Sequence, residues 1–377
     1  MGLKPSILKI AEFPVSSSND SWRFEAKIGN SSIFFESDVP IVASTEAVIS
    51  SFLFPAMFAG IDISADGPVC RKWLKNNRVV RDIARDWWHF RDIEIQARGE
   101  EKSPRSKTTG LFFTGGVDSF YSLLSNVDQI DTLIFVEGFD IPLSDTDRLT
   151  STKNLCLEIA NSLGKKFVTI RTDLRSHPAF NSLNWGMLHG AALATIGHIL
   201  GRELGEVRIA TSDVPPPHGS HPLLDKWWSS GTVEFVSDGI DVRRLQKVMT
   251  ISDNPLVHDH LRVCWEKRGE KLNCGECEKC VRTQAQFAAA GALNRLEIFP
   301  KGGLTDRINQ IASIPIHLVD QWKHIVQQLP QSPEKSAADD LIKRTSPPKK
   351  GFSLRRYINN EKRNYKKRKR IVESAIA

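Results

Sequence analysis

The sequence predicts an α/β protein: a parallel sheet with helices on both faces, a small N-terminal α+β domain and a C-terminal four-cysteine site. Three observations carry this. From Gly110 to about Pro300, short apolar runs alternate with longer stretches of helical period, the pattern of buried parallel strands and their crossover helices. The first run breaks at a glycine pair, in "LFFTGGVDSFYSLL" (111–124). Four of the six cysteines fall within 17 residues, from Cys264 to Cys280.

Residues 1–100 read as an accessory unit. "SWRFEAKI" and "SSIFFES" form two strands joined by the turn residues Gly29 and Asn30, apolar residues recur at helical spacing over Glu46–Phe58 and Cys70–Trp88, and "RDIEIQA" is a closing strand. "RGEEKSPRSKTTG" (98–110) is charged and aperiodic, hence a linker. The strands "GLFFT", "DTLIFVEGF", "KKFVTIRTD" and "EVRIATS" then alternate with helices beginning near Asp118, Leu149 and Trp185. This main domain is expected over 108–300, with a helical segment over 301–330 and a basic, disordered tail over 331–377. There are no internal repeats.

The formal charge of +7 is unevenly placed. Lys343–Arg370 holds thirteen Lys or Arg against Glu361 alone, leaving 38 basic and 43 acidic residues elsewhere, so the body is mildly acidic at −5. No apolar run reaches the roughly 18 residues that would span a bilayer. The N-terminus lacks a signal-peptide pattern, and "MGLKPS" meets the loose myristoylation pattern at Gly2, which is common by chance. A cytoplasmic, reducing location is expected, with the cysteines as free thiols or metal ligands.

In an open parallel sheet, ligands gather beyond the carboxyl ends of the strands. Gly115 and Gly116 allow positive φ and close backbone approach there. Their amides, with Val117 and the helix N-terminus behind them, suit phosphate. Thr114 and Ser119 add hydroxyls, and Asp118 either caps the helix or helps hold a cation on the phosphates. Cys264, Cys274, Cys277 and Cys280 follow C-x9-C-x2-C-x2-C, a set suited to a closed tetrahedral Zn²⁺ site; redox pairs and iron–sulfur clusters share the CxxC spacing. Cys70 and Cys156 read as buried thiols.

"TGGVDS" resembles the SGGxDS loop of the PP-loop ATP pyrophosphatases, with Thr114 for the first serine. Together with "CGECEKCVRTQAQF", where Arg282 follows the cysteines, it resembles 7-cyano-7-deazaguanine synthase, QueC, over about 108–300. "RLQKVMTI" resembles the segment whose lysine approaches the nucleotide phosphates, here Lys247. The resemblance implies an adenine nucleotide alpha hydrolase-like fold, structural Zn²⁺, Mg²⁺, and ATP consumed to AMP and pyrophosphate. It implies adenylation of 7-carboxy-7-deazaguanine or its amide, with Asp118, Ser119 and Lys247 as catalytic residues. The base-binding segments depart from the family: "EGFDIPLSDTDRL", "SLNWGMLHGAAL" and "TSDVPPPHGSHPLLDKWW" stand in their place. This marks a divergent branch, of the sort found in type IV CBASS antiviral operons, whose members are understood to attach an amidated deazaguanine to a protein N-terminus.

Trp185, Trp227 and Trp228 either stack on a purine-like base or belong to the core. Asp213 or Asp225 is placed to accept the base's exocyclic donors. His218 and His221 are proton shuttles or surface residues, and His258 and His260 read as packing. The tail suits nucleic acid, an acidic protein or no partner. The N-terminal unit suits a protein partner, including a protein acceptor, and a homodimer is left open. A tRNA-modifying enzyme and a non-catalytic nucleotide sensor are the rival readings.

Overall fold

The computed structural model describes residues 7–376 apart from 12, 19–20, 105, 213–214, 267–268, 270 and 346–353. Among the described residues the strands are β1 Ile7–Ile10, β2 Ser16–Ser18, β3 Ser21–Ile28, β4 Ser31–Ser37, β5 Asp62–Ala65, β6 Val69–Cys70, β7 Ile95–Gln96, β8 Gly99–Glu100, β9 Thr109–Phe112, β10 Thr132–Glu137, β11 Lys166–Thr172, β12 Glu206–Ala210 and β13 Glu234–Asp238.

Eight of them form the main sheet in the order β13-β12-β9-β10-β11-β4-β3-β2. The five from β13 to β11 are parallel. Numbered along the chain from β9, they lie in the doubly wound order 3-2-1-4-5, and the winding reverses between β9 and β12. Every residue of β10 is buried. Leu133 and Phe135 join one core with helices Val117–Ser125 and Thr146–Ser162, while Ile134 and Val136 join another with helix Trp185–Ile199. Helices therefore cover both faces of the sheet.

The N-terminal hundred residues are not a separate unit. β4 pairs antiparallel with β11, so the hairpin β3–β4 extends the main sheet past its third parallel strand. Helix Thr45–Ala59 is mostly apolar and buried at every position but Phe58. It lies on helix Trp185–Ile199, where the Ser51 and Thr195 hydroxyls meet at 2.8 Å and Val42 N–H donates to the Ile199 carbonyl at 2.9 Å. Two apolar helices of this kind need each other as cover, so the boundary expected near residue 100 divides no core. The smaller sheets β1-β5-β7 and β6-β8 finish this side.

Helices Glu278–Ala289, Leu304–Gln310, Val319–Gln328 and Pro333–Arg344 share a third core around Trp322. The tail expected to be disordered is helical over Leu354–Ile376. Ile371 is 1% exposed within the core of the N-terminal segment. Arg368 Nε donates to the Phe58 carbonyl at 3.1 Å, with its guanidinium 5.1 Å from the Phe58 ring centre. The charge run hid this apolar anchor; Arg363, Lys366, Lys369 and Arg370 remain exposed beside it. No helix among the described residues is long and apolar enough to cross a membrane.

Ile371→Ala should cost about 2–4 kcal/mol in urea unfolding, the usual range for a buried Ile-to-Ala change. An unchanged midpoint would mean that the last helix is not docked.

Candidate functional site

The chain leaves β9 at Phe112 and turns at Gly115, whose φ of 74° lies in the left-handed region. A Cβ here would lie 3.2 Å from both the His260 carbonyl and Leu155 Cδ2. The Gly115 carbonyl accepts from Arg262 N–H at 2.7 Å, which ties the turn to the segment leading into the cysteines. Gly116 starts helix Val117–Ser125 with no side-chain cap. The amides of Gly116, Val117, Asp118 and Ser119 therefore have no acceptor among the described residues. Ser119 Oγ donates to the Gly116 carbonyl at 3.0 Å and braces the turn. Thr114 is partly buried at the strand end.

Asp118 does not cap the helix. Its carboxylate meets Arg244 Nη1 at 2.5 Å and Lys247 Nζ at 3.3 Å. Arg244 and Lys247 stand three residues apart on helix Arg244–Ile251, hence on one face. Lys247 is 1% exposed and also donates to the Thr211 carbonyl at 2.6 Å, just beyond β12. Burial alone would raise the Asp118 carboxyl, but Arg244, Lys247 and Lys279 outweigh it and hold the group below the usual carboxylate range.

Lys279 and Arg282 arrive from helix Glu278–Ala289. Lys279 Nζ makes no ion pair or hydrogen bond among the described residues, and burial with repulsion from Arg244 lowers it to about 8. Burial also lowers Arg282, which Glu278 holds at 2.8 Å and Gln321 at 2.6 Å. Four cations thus gather around Asp118 and Glu278 where β9 and β12 diverge, beside four free amides. That arrangement favours a multiply charged anion. Sequence reasoning missed Arg244 and Lys279; the available signals were the R-x-x-K spacing with Lys247 and the lysine inside "CEKC".

The four cysteine sulfurs lie within 4.8 Å of one another. Cys264 and Cys277 are 3.9 Å apart, as are Cys274 and Cys280. A tetrahedral metal bound at about 2.3 Å from each sulfur has edges of about 3.8 Å, so the set fits a metal ion such as zinc. Cys277 N–H donates to Cys274 Sγ at 3.3 Å, and Gln284 Nε2 holds the Gly275 carbonyl at 2.8 Å. Asn273 shapes the loop by bridging Leu261, Val263 and Cys264.

Trp185 lies beyond the carboxyl ends of β10 and β11, with its ring 5.4 Å from that of Phe139 and 4.2 Å from the Arg175 guanidinium. His189 and His218 continue the row from Trp185 at 5.8 and 4.8 Å. Burial and His218 lower His189 to about 3, which leaves it neutral. Trp228 is core: it is fully buried and packs on Phe54 at 5.6 Å. Trp227 is partly buried, its ring 5.2 Å from Lys226 Nζ. His221 caps helix Pro222–Asp225 through Nδ1 and packs on Trp87 at 5.5 Å, which gives it a structural task. His258 donates to the Ser252 carbonyl at 2.8 Å, and His260 lies 3.6 Å from Glu158. Asp213 lies outside the described residues. Asp225 is fully buried; Oδ2 accepts from Ser220 at 3.0 Å and Ser237 at 3.3 Å, while Oδ1 has no partner. Burial pushes its carboxyl up to about 7.

A raised folded-state pKa stabilises the protein below the ordinary carboxyl value of 3.8, and that contribution fades as pH climbs through about 7. Asp225→Asn should therefore raise the melting temperature by a few degrees at pH 8 and by much less at pH 5; equal shifts at both pH values would show a carboxylate already ionised in the folded protein. Metal analysis should find one ion per chain. Cys274→Ser or a chelator should remove it and lower the melting temperature, whereas an unchanged melting curve would show that the sulfurs hold this region without metal. Comparisons with family models, curated proteins and solved structures found no match to this chain.

Proposed function

We propose that the protein is an ATP-dependent, QueC-like ligase that adenylates a carboxyl group on a 7-deazaguanine base or its amide, releases pyrophosphate and AMP, and passes the acyl group to an amine. The observation that carries this reading is the uncapped glycine turn at the reversal point of the sheet, facing Arg244, Lys247 and Lys279. The turn amides would cradle the triphosphate. The cations would take up charge as the carboxylate attacks the innermost phosphorus.

A carboxylate is a poor electrophile because oxide does not leave; once joined to AMP, that oxygen does. Asp118 keeps Arg244 and Lys247 in place before ATP arrives and yields part of their charge to the phosphates afterwards. Mg²⁺ would supply further charge on the phosphates. The metal in the sulfur cage would be zinc, held closed by four thiolates and serving structure. Trp185, with Arg175 beside its ring, is the platform best placed to stack a purine-like base at the same edge of the sheet. The acceptor amine is ammonia or a protein N-terminus; the second fits the antiviral branch that the sequence resembles.

Incubation with ATP, Mg²⁺, 7-carboxy-7-deazaguanine and either ammonium or a candidate partner protein should release pyrophosphate and give an amide, a nitrile or a protein adduct by mass spectrometry. AMP without a deazaguanine product would overturn the substrate, and no pyrophosphate with any acceptor would overturn the enzyme. Lys279→Ala removes a cation that has no ion-pair partner among the described residues. It should leave the fold intact and slow pyrophosphate release about 100-fold.

A further inference from the structure

Helix Leu354–Ile376 has no task in the ligase chemistry. Ile371 is 1% exposed, Val372 packs against the same core, and Arg368 donates to the Phe58 carbonyl, so these three hold one face of the helix against the N-terminal segment. That docking turns a different face outward. Arg363, Lys366, Lys369 and Arg370 are exposed there, and Tyr365 beside them is 61% exposed. Arg363, Lys366 and Arg370 stand three and then four residues apart, hence in one stripe, while Tyr365 and Lys369, four apart, form a second stripe next to it. Among the described residues of this face the one acid is Glu373, 3.5 Å from Lys369.

Four exposed cations on a docked helix attract a polyanion, and the rest of the chain, at −5 outside Lys343–Arg370, does not compete for it. Tyr365 decides the kind of polyanion. A membrane-surface helix turns its apolar side chains outward to the lipid, whereas here Ile371 and Val372 turn inward to the protein. The carboxylates of an acidic protein give an exposed ring nothing to stack on. In a duplex the bases already stack on one another. The bases of a single strand are free to stack on an aromatic side chain while cations follow the backbone.

We propose that the outward face of helix Leu354–Ile376 binds single-stranded nucleic acid, with Arg363, Lys366 and Arg370 along the phosphates and Tyr365 stacked on a base. Binding here needs no ATP, so it stands or falls apart from the ligase reading.

The test is fluorescence anisotropy of the full chain with labelled single-stranded RNA and DNA of about 20 nucleotides, enough for a site of ordinary size. Each is measured at several salt concentrations, beside a duplex of the same sequence and polyglutamate. A single strand should bind more tightly than the duplex or polyglutamate, and whichever of RNA and DNA binds better names the source of the strand. Arg363→Gln, Lys366→Gln and Arg370→Gln combined should lower the slope of log K against log salt by about 2, at roughly 0.7 per phosphate. Tyr365→Ala should weaken binding about 5- to 150-fold. Tyr365→Phe keeps the ring and should restore tight binding, which separates lost stacking from a lost fold. The proposal is overturned by an absence of strand binding at low salt and about 100 μM protein, the weak end of non-specific affinity. Tighter binding of the duplex or of polyglutamate, or strand binding that survives either the triple variant or Tyr365→Ala, would overturn it as well.

Discussion

Much of the site depends on one buried contact, the Asp118 carboxylate between Arg244 and Lys247. Two cations in so enclosed a place need a counter-charge, and removing the acid from such a cluster costs about 3–5 kcal/mol. The contact also joins three elements that are far apart in the chain: helix Val117–Ser125, helix Arg244–Ile251 and, through Lys247, the Thr211 carbonyl beyond β12. Those elements converge where β9 and β12 send their connections to opposite faces of the sheet. The topology opens a crevice there, and the ion pairs fill it with positive charge near uncapped amides. A structural ion pair would normally be closed off by its neighbours. Here Lys279 forms no ion pair among the described residues, although Asp140 and Asp118 act on it from farther off, so positive charge gathers beside the turn.

The rest of the fold serves to keep the crevice rigid. The sheet is extended past β11 by β4, β3 and β2, which covers an edge that would otherwise invite pairing with other chains. Helix Thr45–Ala59 could not stand in water alone, since it has no polar face, and it finds cover on helix Trp185–Ile199. The last helix then docks with Ile371 and Arg368 on Phe58, the one position of that helix not fully buried. The N-terminal segment is thus sandwiched between the sheet side of the molecule and its far C-terminus, and that arrangement joins all of these parts in one body.

Much of this was legible in the residues, and the gaps have physical reasons. β10 read clearly because a strand buried at every residue is mostly apolar, and β11 and β12 because their buried positions are β-branched or aliphatic residues between polar ones. The glycine turn and the cysteine spacing read clearly because each needs a particular residue type. β13 escaped notice because Glu234, Ser237 and Asp238 make it look like loop. The N-terminal segment looked independent because antiparallel hairpins carry their own local pattern, and nothing local states which edge a hairpin will join. The tail looked disordered because thirteen charges outweigh one buried isoleucine in any composition. Asp118 was recognised, but its partners were harder to read: an ion pair spanning 126 residues of sequence leaves no local mark.

The cysteine cage bears on how one short helix presents its cations. Cys277 stands at the N-cap position of helix Glu278–Ala289 and Cys280 lies in its first turn, so a metal held by those sulfurs would fix both the position and the rotation of the helix. Lys279 and Arg282 follow at once, three residues apart, and turn toward Asp118. Gln286, four residues beyond Arg282, lies fully buried on the same helix. Rotating this helix by a fraction of a turn would withdraw Lys279 and Arg282 from the crevice together. Four thiolates around one ion resist that rotation far better than apolar packing, which tolerates small slides between helices. A metal with no open coordination position can therefore matter to chemistry some distance away: its contribution is to keep a row of side chains in register.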